Sequence, residues 1–206
     1  MLVVIDQHNA DEYPDLIDQM FRLRARIFRE RLKWDVRVVN ERERDKYDGI
    51  GPVYIIYADD EGCEVKGSLR LLPTTGPTLL AEFFSDTLPD AVHLSAPTIW
   101  ECTRFCLNDK ILDSDELLHV AGVLVGALGD VAISNGIESI IGNFDFRTLQ
   151  LYRNLGFQVD VLGSTTRFGQ AVYLGLFPIS EPILDRVTQR LNNIRSVLAK
   201  RRELAA

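Results

Sequence analysis

Two guanidiniums, two aromatic rings and several carboxylates fall within one short stretch of this chain: Arg24, Phe28, Arg31 and Trp34 are followed by Glu43, Asp45 and Asp48. Residues of those types suit a small zwitterionic or cationic ligand. An aromatic face attracts a cation through its ring quadrupole, and an arginine fork holds a carboxylate through two parallel hydrogen bonds. Two more sets lie downstream, Arg70 with Phe84 and Glu101 with Arg104. A carboxylate such as Glu101 can accept a proton from an amine, directly or through water, and so turn it into a nucleophile. Singly, these residues have ordinary roles: a Trp at a helix end anchors a core, a Glu on a strand faces solvent, and surface Arg–Asp pairs contribute little. Their joint occurrence is what points to a site.

Positioning those side chains falls to the surrounding elements. Leu16, Met20, Leu23 and Ile27 recur at helical spacing and predict a helix over 11–32. The charged stretch 35–51 that follows is a loop long enough to carry function. Residues 53–58 and 65–72 read as a hairpin around a turn at 59–62, with a short helix over 79–84 and a strand over 98–107. A long apolar helix over 115–135 ends at Gly136. Beyond it come a strand (137–142), a helix (147–155), two strands (157–162 and 171–177) and a final helix (182–204). Strands and helices interleave around at least one hairpin, which predicts a mixed sheet with helices on its faces. On a regular strand Glu101 and Arg104, three residues apart, would point to opposite faces. A β-bulge within 101–105 is therefore expected if both reach one ligand.

Bulk properties narrow the classes. At 206 residues the chain suffices for one substantial core, and a net charge of −7 argues against nucleic acid as the main partner. Basic residues nonetheless cluster: 21–33 hold six against one acid, and Arg186, Arg190, Arg195, Lys200, Arg201 and Arg202 crowd the C-terminal helix. Such clusters are usually solvated helix faces, and an acidic macromolecule could use them. The three cysteines, Cys63, Cys102 and Cys106, lack metal-ligand spacing with the three histidines and read as reduced thiols of a cytoplasmic protein. The start, Met1 to Asp6, is not a signal peptide, and the longest apolar tract, Leu117 to Leu128, is too short to span a bilayer.

The segment from Leu149 through Tyr152 to Gly156 and Phe157 resembles the last motif of the GNAT acyltransferase superfamily. That resemblance implies an α/β fold, a mixed and mostly antiparallel sheet in a three-layer α-β-α sandwich, here one domain over 1–206. GNAT enzymes usually cradle the coenzyme A pyrophosphate on the N–H groups of a glycine-rich turn opening the long helix. The stretch from Asp113 to Gly122 lacks that turn and places acids at the helix start.

Leu23, Arg24, Phe28, Arg31, Trp34, Val36, Glu43, Asp45, Tyr47 and Asp48 together resemble, without departure, the signature of the acyl-homoserine-lactone synthases, the LuxI-type autoinducer synthases. The segment from Arg70 to Leu80 with Phe84, and that from Trp100 to Phe105, agree with it. The likeness covers about 12–180 and leaves the basic helix 182–204 outside. It implies acyl transfer from acyl carrier protein to the α-amine of S-adenosylmethionine, then lactone closure with loss of 5′-methylthioadenosine. S-adenosylmethionine is then a substrate; no separate cofactor and no metal are implied. Phe28, Trp34 and Phe84 are assigned to the sulfonium side and Arg104 or Arg24 to the ligand carboxylate. Glu101 is assigned to the amine proton, and backbone N–H groups around Phe105 to the thioester oxygen. Arg24, Asp45, Asp48 and Arg70 form a charge network fixing the loop.

The acyl pocket is expected at Phe105, Val125 and Asn143, with small residues on the adjacent helix leaving room for a medium-to-long chain. Asn143 stands where many family members carry Thr or Ser, a hydroxyl that accompanies 3-oxo chains. An amide both donates and accepts, so a 3-hydroxy or unsubstituted chain is at least as expected. Arg147, Arg153 and the C-terminal helix are candidate contacts for the acidic carrier protein. The competing readings are a GNAT N-acyltransferase using acyl-coenzyme A on another amine, and an inactive module that binds S-adenosylmethionine or carrier protein.

Overall fold

A computed structural model describes residues 1–88 and 94–205 of the chain. In chain order the strands are β1 (Leu2–Ile5), β2 (Val38–Val39), β3 (Arg42–Glu43), β4 (Val53–Ala58), β5 (Val65–Pro73), β6 (Ile99–Leu107), β7 (Ser139–Asp145), β8 (Asp160–Thr165) and β9 (Val172–Pro178). The α-helices are α1 (Pro14–Arg24), α2 (Leu79–Phe83), α3 (Ser114–Ser134), α4 (Phe146–Asn154) and α5 (Glu181–Ala205). Seven strands form one sheet in the order β1-β4-β5-β6-β7-β9-β8, and β2 and β3 pair apart from it. Within the large sheet only β6 and β7 run parallel.

The period-2 alternation of the strands divides the core between the two faces. Ile55, Leu69 and Leu71 point to α3, α4 and α5, and Tyr54 and Ile56 point to α1. The sandwich is therefore three-layered, as the GNAT likeness implied. At 21 residues α3 is long and apolar enough to cross a membrane, longer than the uninterrupted apolar tract suggested. Its apolar face is instead spent on the sheet and on α5, with Ala121, Leu124 and Ala132 wholly buried. Gly136 at φ +66° closes α3, donating to the Ile133 carbonyl while Ile137 donates to that of Ala132, a left-handed cap that glycine adopts without strain.

Three expectations need correction. The helix over 11–32 is α-helical only to Arg24 and continues as a π-helix over Ala25–Arg31. Helical spacing of apolar residues does not distinguish these windings over so few turns. The strand expected at 157–162 begins at Asp160, because Gly156 and Phe157 are used to cap α4 through the carbonyls of Arg153 and Tyr152. The loop 35–51 is not featureless: it holds the β2–β3 hairpin and a 3-10 turn over Lys46–Gly49.

Candidate active site

The site is built around an irregularity in β6. Ser68 faces Cys106 and Arg70 faces Thr103, so Leu69 alone opposes two residues, Arg104 and Phe105. Arg104 has φ 55°, the left-handed conformation of an inserted residue. The bulge expected from the spacing is thus present, with Arg104 as the extra residue. Thr103 and Arg104 consequently both reach the α1 side of the sheet, and Phe105 packs with the core on the other. β6 pairs with β7 from Ile99 as far as Glu101, opposite Ile141, and the cleft opens where that ladder ends.

Around Arg104 three guanidiniums and three carboxylates close into a ring. Arg24 bonds Glu43 at 2.6 Å and takes Asp48 with both terminal nitrogens, at 2.8 and 2.9 Å. Arg70 bonds Asp48 at 2.7 Å and Asp45 at 2.6 and 2.9 Å. Arg104 bonds Glu43 at 2.8 Å and lies 2.9 Å from Asp45, so each cation meets two acids and each acid two cations. The Arg24 and Arg70 side chains are wholly buried and Glu43 and Asp48 nearly so. Burial would raise the Asp48 carboxyl, but Arg24 and Arg70 outweigh it and hold the group well below the usual range. Tyr54 and Thr103 complete the satisfaction by bonding Asp48 and Arg70. A neutral, hydrogen-bonded set is the only form in which six charges can be buried at tolerable cost.

Sequence reasoning named the three arginines, Asp45 and Asp48, and quoted Glu43 only as part of a pattern. The missing signal was charge balance, since three buried cations need three acids. Carriage of those acids explains the loop's local structure. Asn40 and Glu41 adopt φ 49° and 65° at the tip of the β2–β3 hairpin, which delivers Glu43. Asp45 and Asp48 cap the 3-10 turn reciprocally, Tyr47 N–H donating to Asp45 and Asp45 N–H to Asp48, while their remaining oxygens face the arginines.

Glu101 is set apart from the ring. Its carboxylate, 1% exposed, accepts the N–H groups of Leu79 (2.9 Å) and Leu80 (2.6 Å) at the start of α2. Burial pushes its pKa up to about 7, against the lowering effect of those two N–H groups and of Arg70 and Arg104. A carboxylate poised there can exchange a proton near neutral pH.

The π-helix positions the rings. Its wider turn lets Leu32 N–H reach the Ile27 carbonyl, and Lys33, at φ 58°, turns the chain so that Trp34 N–H bonds the Phe28 carbonyl. The rings of Phe28 and Trp34 then lie 5.3 Å apart, with Phe84 6.4 Å beyond Trp34. Arg104 lies over Phe28 at 4.9 Å. Phe28, Arg31, Trp34, Phe84, Glu101, Arg104, Phe105 and Asn143 all line one cleft. An apolar cavity continues inward between Val125, Leu128, Ile140 and Phe157, sharing Cys102, Phe105, Tyr152 and Phe177 with the cleft. Cys102 lies at that junction, and burial pushes its pKa up to about 12.

Arg147 and Arg153 are exposed at opposite ends of α4, roughly 9 Å apart along its axis. Only Arg147 lies beside the cleft residues Asp145 and Thr148. The basic cluster 21–33 is not a bare positive face, because Arg22, Arg24, Arg26, Arg29 and Arg31 each meet a carboxylate. On α5, Arg201 pairs with Asp115, and the side chain of Arg202 lies outside the described residues.

A three-layer fold whose sheet parts over a cleft beside a buried carboxylate defines an acyltransferase of GNAT-like architecture. An aminoglycoside 6′-acetyltransferase type Ii shares that fold at a TM-score of 0.54 and 14% identity, over 87% of this chain and 97% of its own. The autoinducer synthase family model matches residues 7–187, and the chain belongs to that family, the acyl-homoserine-lactone synthases. The acyl-homoserine-lactone synthase of Rhizobium etli is 40% identical over 181 residues, 87% of this chain and 85% of its own. BjaI, a CoA-dependent acyl-homoserine lactone synthase solved with SAM and isopentyl-CoA, superposes with a TM-score of 0.83 at 28% identity, covering 93% of this chain and 89% of the other.

Proposed function

We propose that this acyl-homoserine-lactone synthase transfers a medium-to-long acyl chain from acyl carrier protein to the α-amine of S-adenosylmethionine and then closes the lactone, releasing 5′-methylthioadenosine. The observation that carries the reading is the cleft that joins a ring platform to the buried Glu101 and shares its inner wall with an apolar cavity. The sulfonium lies against Phe28, Trp34 and Phe84. Glu101 takes the amine proton as the nitrogen attacks the thioester carbon. Negative charge on that oxygen is met by backbone N–H groups of the β6 edge around Phe105, and the thiol leaves with a proton. The substrate carboxylate then attacks its own γ-carbon, the C–S bond breaks, and the sulfur departs as a neutral thioether. Among the described residues Nη1 of Arg104 makes no hydrogen bond, and it is the nitrogen assigned to the substrate carboxylate. Arg24, Asp45, Asp48 and Arg70 hold the wall in place rather than moving protons. S-adenosylmethionine is consumed as a substrate, the reaction calls on no separate cofactor, and the protein acts in the cytoplasm, where both donors are made.

Two features support carrier protein as donor. Asp113 accepts the N–H groups of Asp115 and Glu116, and Glu116 reciprocates to Asp113, so the start of α3 is already capped by carboxylates that would repel a pyrophosphate. Arg147 stands exposed beside the cleft and is available to an acidic partner. The likeness to BjaI favours the second reading, acyl-coenzyme A. Purified enzyme given S-adenosylmethionine and one acyl group on either carrier separates the two, with lactone and methylthioadenosine measured by mass spectrometry. A higher kcat/KM with carrier protein is expected. The reverse order would transfer the proposal to coenzyme A, and absence of lactone with both would end it.

A further inference from the structure

Phe84 belongs to the ring platform, yet little backbone of its own holds it there. It follows α2, a helix of five residues, and a 3-10 turn over Ser85–Thr87 begins directly after it. A helix that short is not stable by itself in water, so its placement depends on ties to the rest of the molecule. Glu101 supplies the tie at the start of α2, through the N–H groups of Leu79 and Leu80. The tie at its end comes from elsewhere in the chain, the hairpin that joins β8 to β9.

At the tip of that hairpin Gly169, at φ +79°, donates to the Thr166 carbonyl at 3.0 Å and closes a turn with Arg167 and Phe168 at its central positions. The Thr165 hydroxyl donates to one oxygen of Asp86 at 2.7 Å. The Arg167 guanidinium donates to the Phe83 carbonyl and stands 3.4 Å from the other oxygen of Asp86. So fastened, the turn lays the ring of Phe168 5.1 Å from that of Phe84, tilted by 57°, within the range of favourable aromatic pairs. Arg167 lies over the Phe168 ring at 4.7 Å and keeps it from turning to water. Phe168 remains 44% exposed while Phe84 is only 7% exposed. Phe84 lines the cleft, and Phe168 is not among the described residues that do. Phe168 can therefore act on a ligand only through Phe84.

We infer that Phe168 is a positioning residue for the sulfonium of S-adenosylmethionine, holding Phe84 beside Trp34 so that its face meets the cation. This rests on the platform binding S-adenosylmethionine, as proposed above, and is independent of which acyl carrier is used. A ring attracts a cation over its face, so the attraction depends on tilt as well as distance. Without Phe168 the Phe84 ring is free to turn into the space left beside it. The platform stays apolar but loses its orientation, and the loss falls on the charge of the ligand more than on its adenosine.

The test measures equilibrium binding of S-adenosylmethionine and of S-adenosylhomocysteine, its neutral thioether counterpart, by titration calorimetry without any acyl donor. Wild type, Phe168→Ala and Phe168→Tyr are compared; the site is half exposed, and circular dichroism checks that each variant folds. Phe168→Ala should weaken S-adenosylmethionine about fivefold or more and the neutral thioether less than about twofold, and Phe168→Tyr should restore both. In turnover, the KM for S-adenosylmethionine should rise in Phe168→Ala while that for the acyl donor stays unchanged. Equal weakening of the two ligands, or unaltered S-adenosylmethionine binding, would overturn the inference, as would a tyrosine that fails to restore it. Lactone made by the wild type alongside any of those results condemns only Phe168. A wild type that binds no S-adenosylmethionine would overturn the parent reading and the inference with it.

Discussion

Glu101 has two jobs that pull against each other. As an acceptor for Leu79 and Leu80 it caps α2, and as a buried anion it is poised to take a proton. Removing the charge while keeping the shape separates them. Glu101→Gln should lower kcat by roughly 10²–10⁴. Because the base must be ionised, wild-type kcat/KM should climb as pH rises through about 7, the value to which burial lifts this carboxyl. Stability moves the other way. A carboxyl with a raised folded pKa binds its proton more tightly folded than unfolded, so the fold loses stability as pH rises from about 4.5, the unfolded value, to about 7. The melting temperature of Glu101→Gln relative to wild type should therefore increase between pH 5 and pH 8. A flat difference in thermal melts would show that the carboxylate is not buried as an anion.

Among the elements, the β6 bulge and the β2–β3 hairpin exist to close a ring of charge. The ring contributes little net stability as a whole, because desolvation offsets attraction, yet opening it is costly. Glu43→Gln leaves Arg24 and Arg104 each short of an anion in a buried site and should destabilise by about 3–5 kcal/mol, read from urea unfolding. The Asp48 carboxyl, depressed in the fold, has the opposite pH dependence to Glu101: its contribution is present above the ordinary Asp range and disappears as pH falls below it. Acid unfolding of the wild type should therefore be steep below about pH 4, and circular dichroism would follow it. Spacing alone foretold the bulge, since two residues three apart cannot share a face of a regular strand. Spacing could not reveal that Arg104 would be tied to Glu43 and Asp45, because those acids arrive from a hairpin whose register is decided by tertiary packing.

Over the whole molecule, charge is distributed so that a net-acidic protein presents an exposed basic residue, Arg147, next to the cleft residues Asp145 and Thr148. Charge reversal at that point, Arg147→Glu, should raise the KM for acyl carrier protein several-fold and leave the KM for S-adenosylmethionine unchanged. Steady-state kinetics at two salt concentrations would check it, the defect shrinking at high salt. If instead both constants rise together, Arg147 shapes the cleft and does not greet a partner. Arg153, at the far end of α4, should show a weaker effect.

Which residue types could do chemistry together, and that the sheet would be mixed with helices on its faces, was legible in the sequence itself. Residue types at fixed separations and the 2- and 3.6-residue periodicities are local properties that survive without coordinates. The winding of 25–31 as a π-helix, the ring that recruits Glu43, and the contact of Phe168 with Phe84 were decided only by the tertiary structure. Each depends on where segments distant in the chain meet once apolar surface is buried. Such a meeting leaves no periodic trace in the order of the residues.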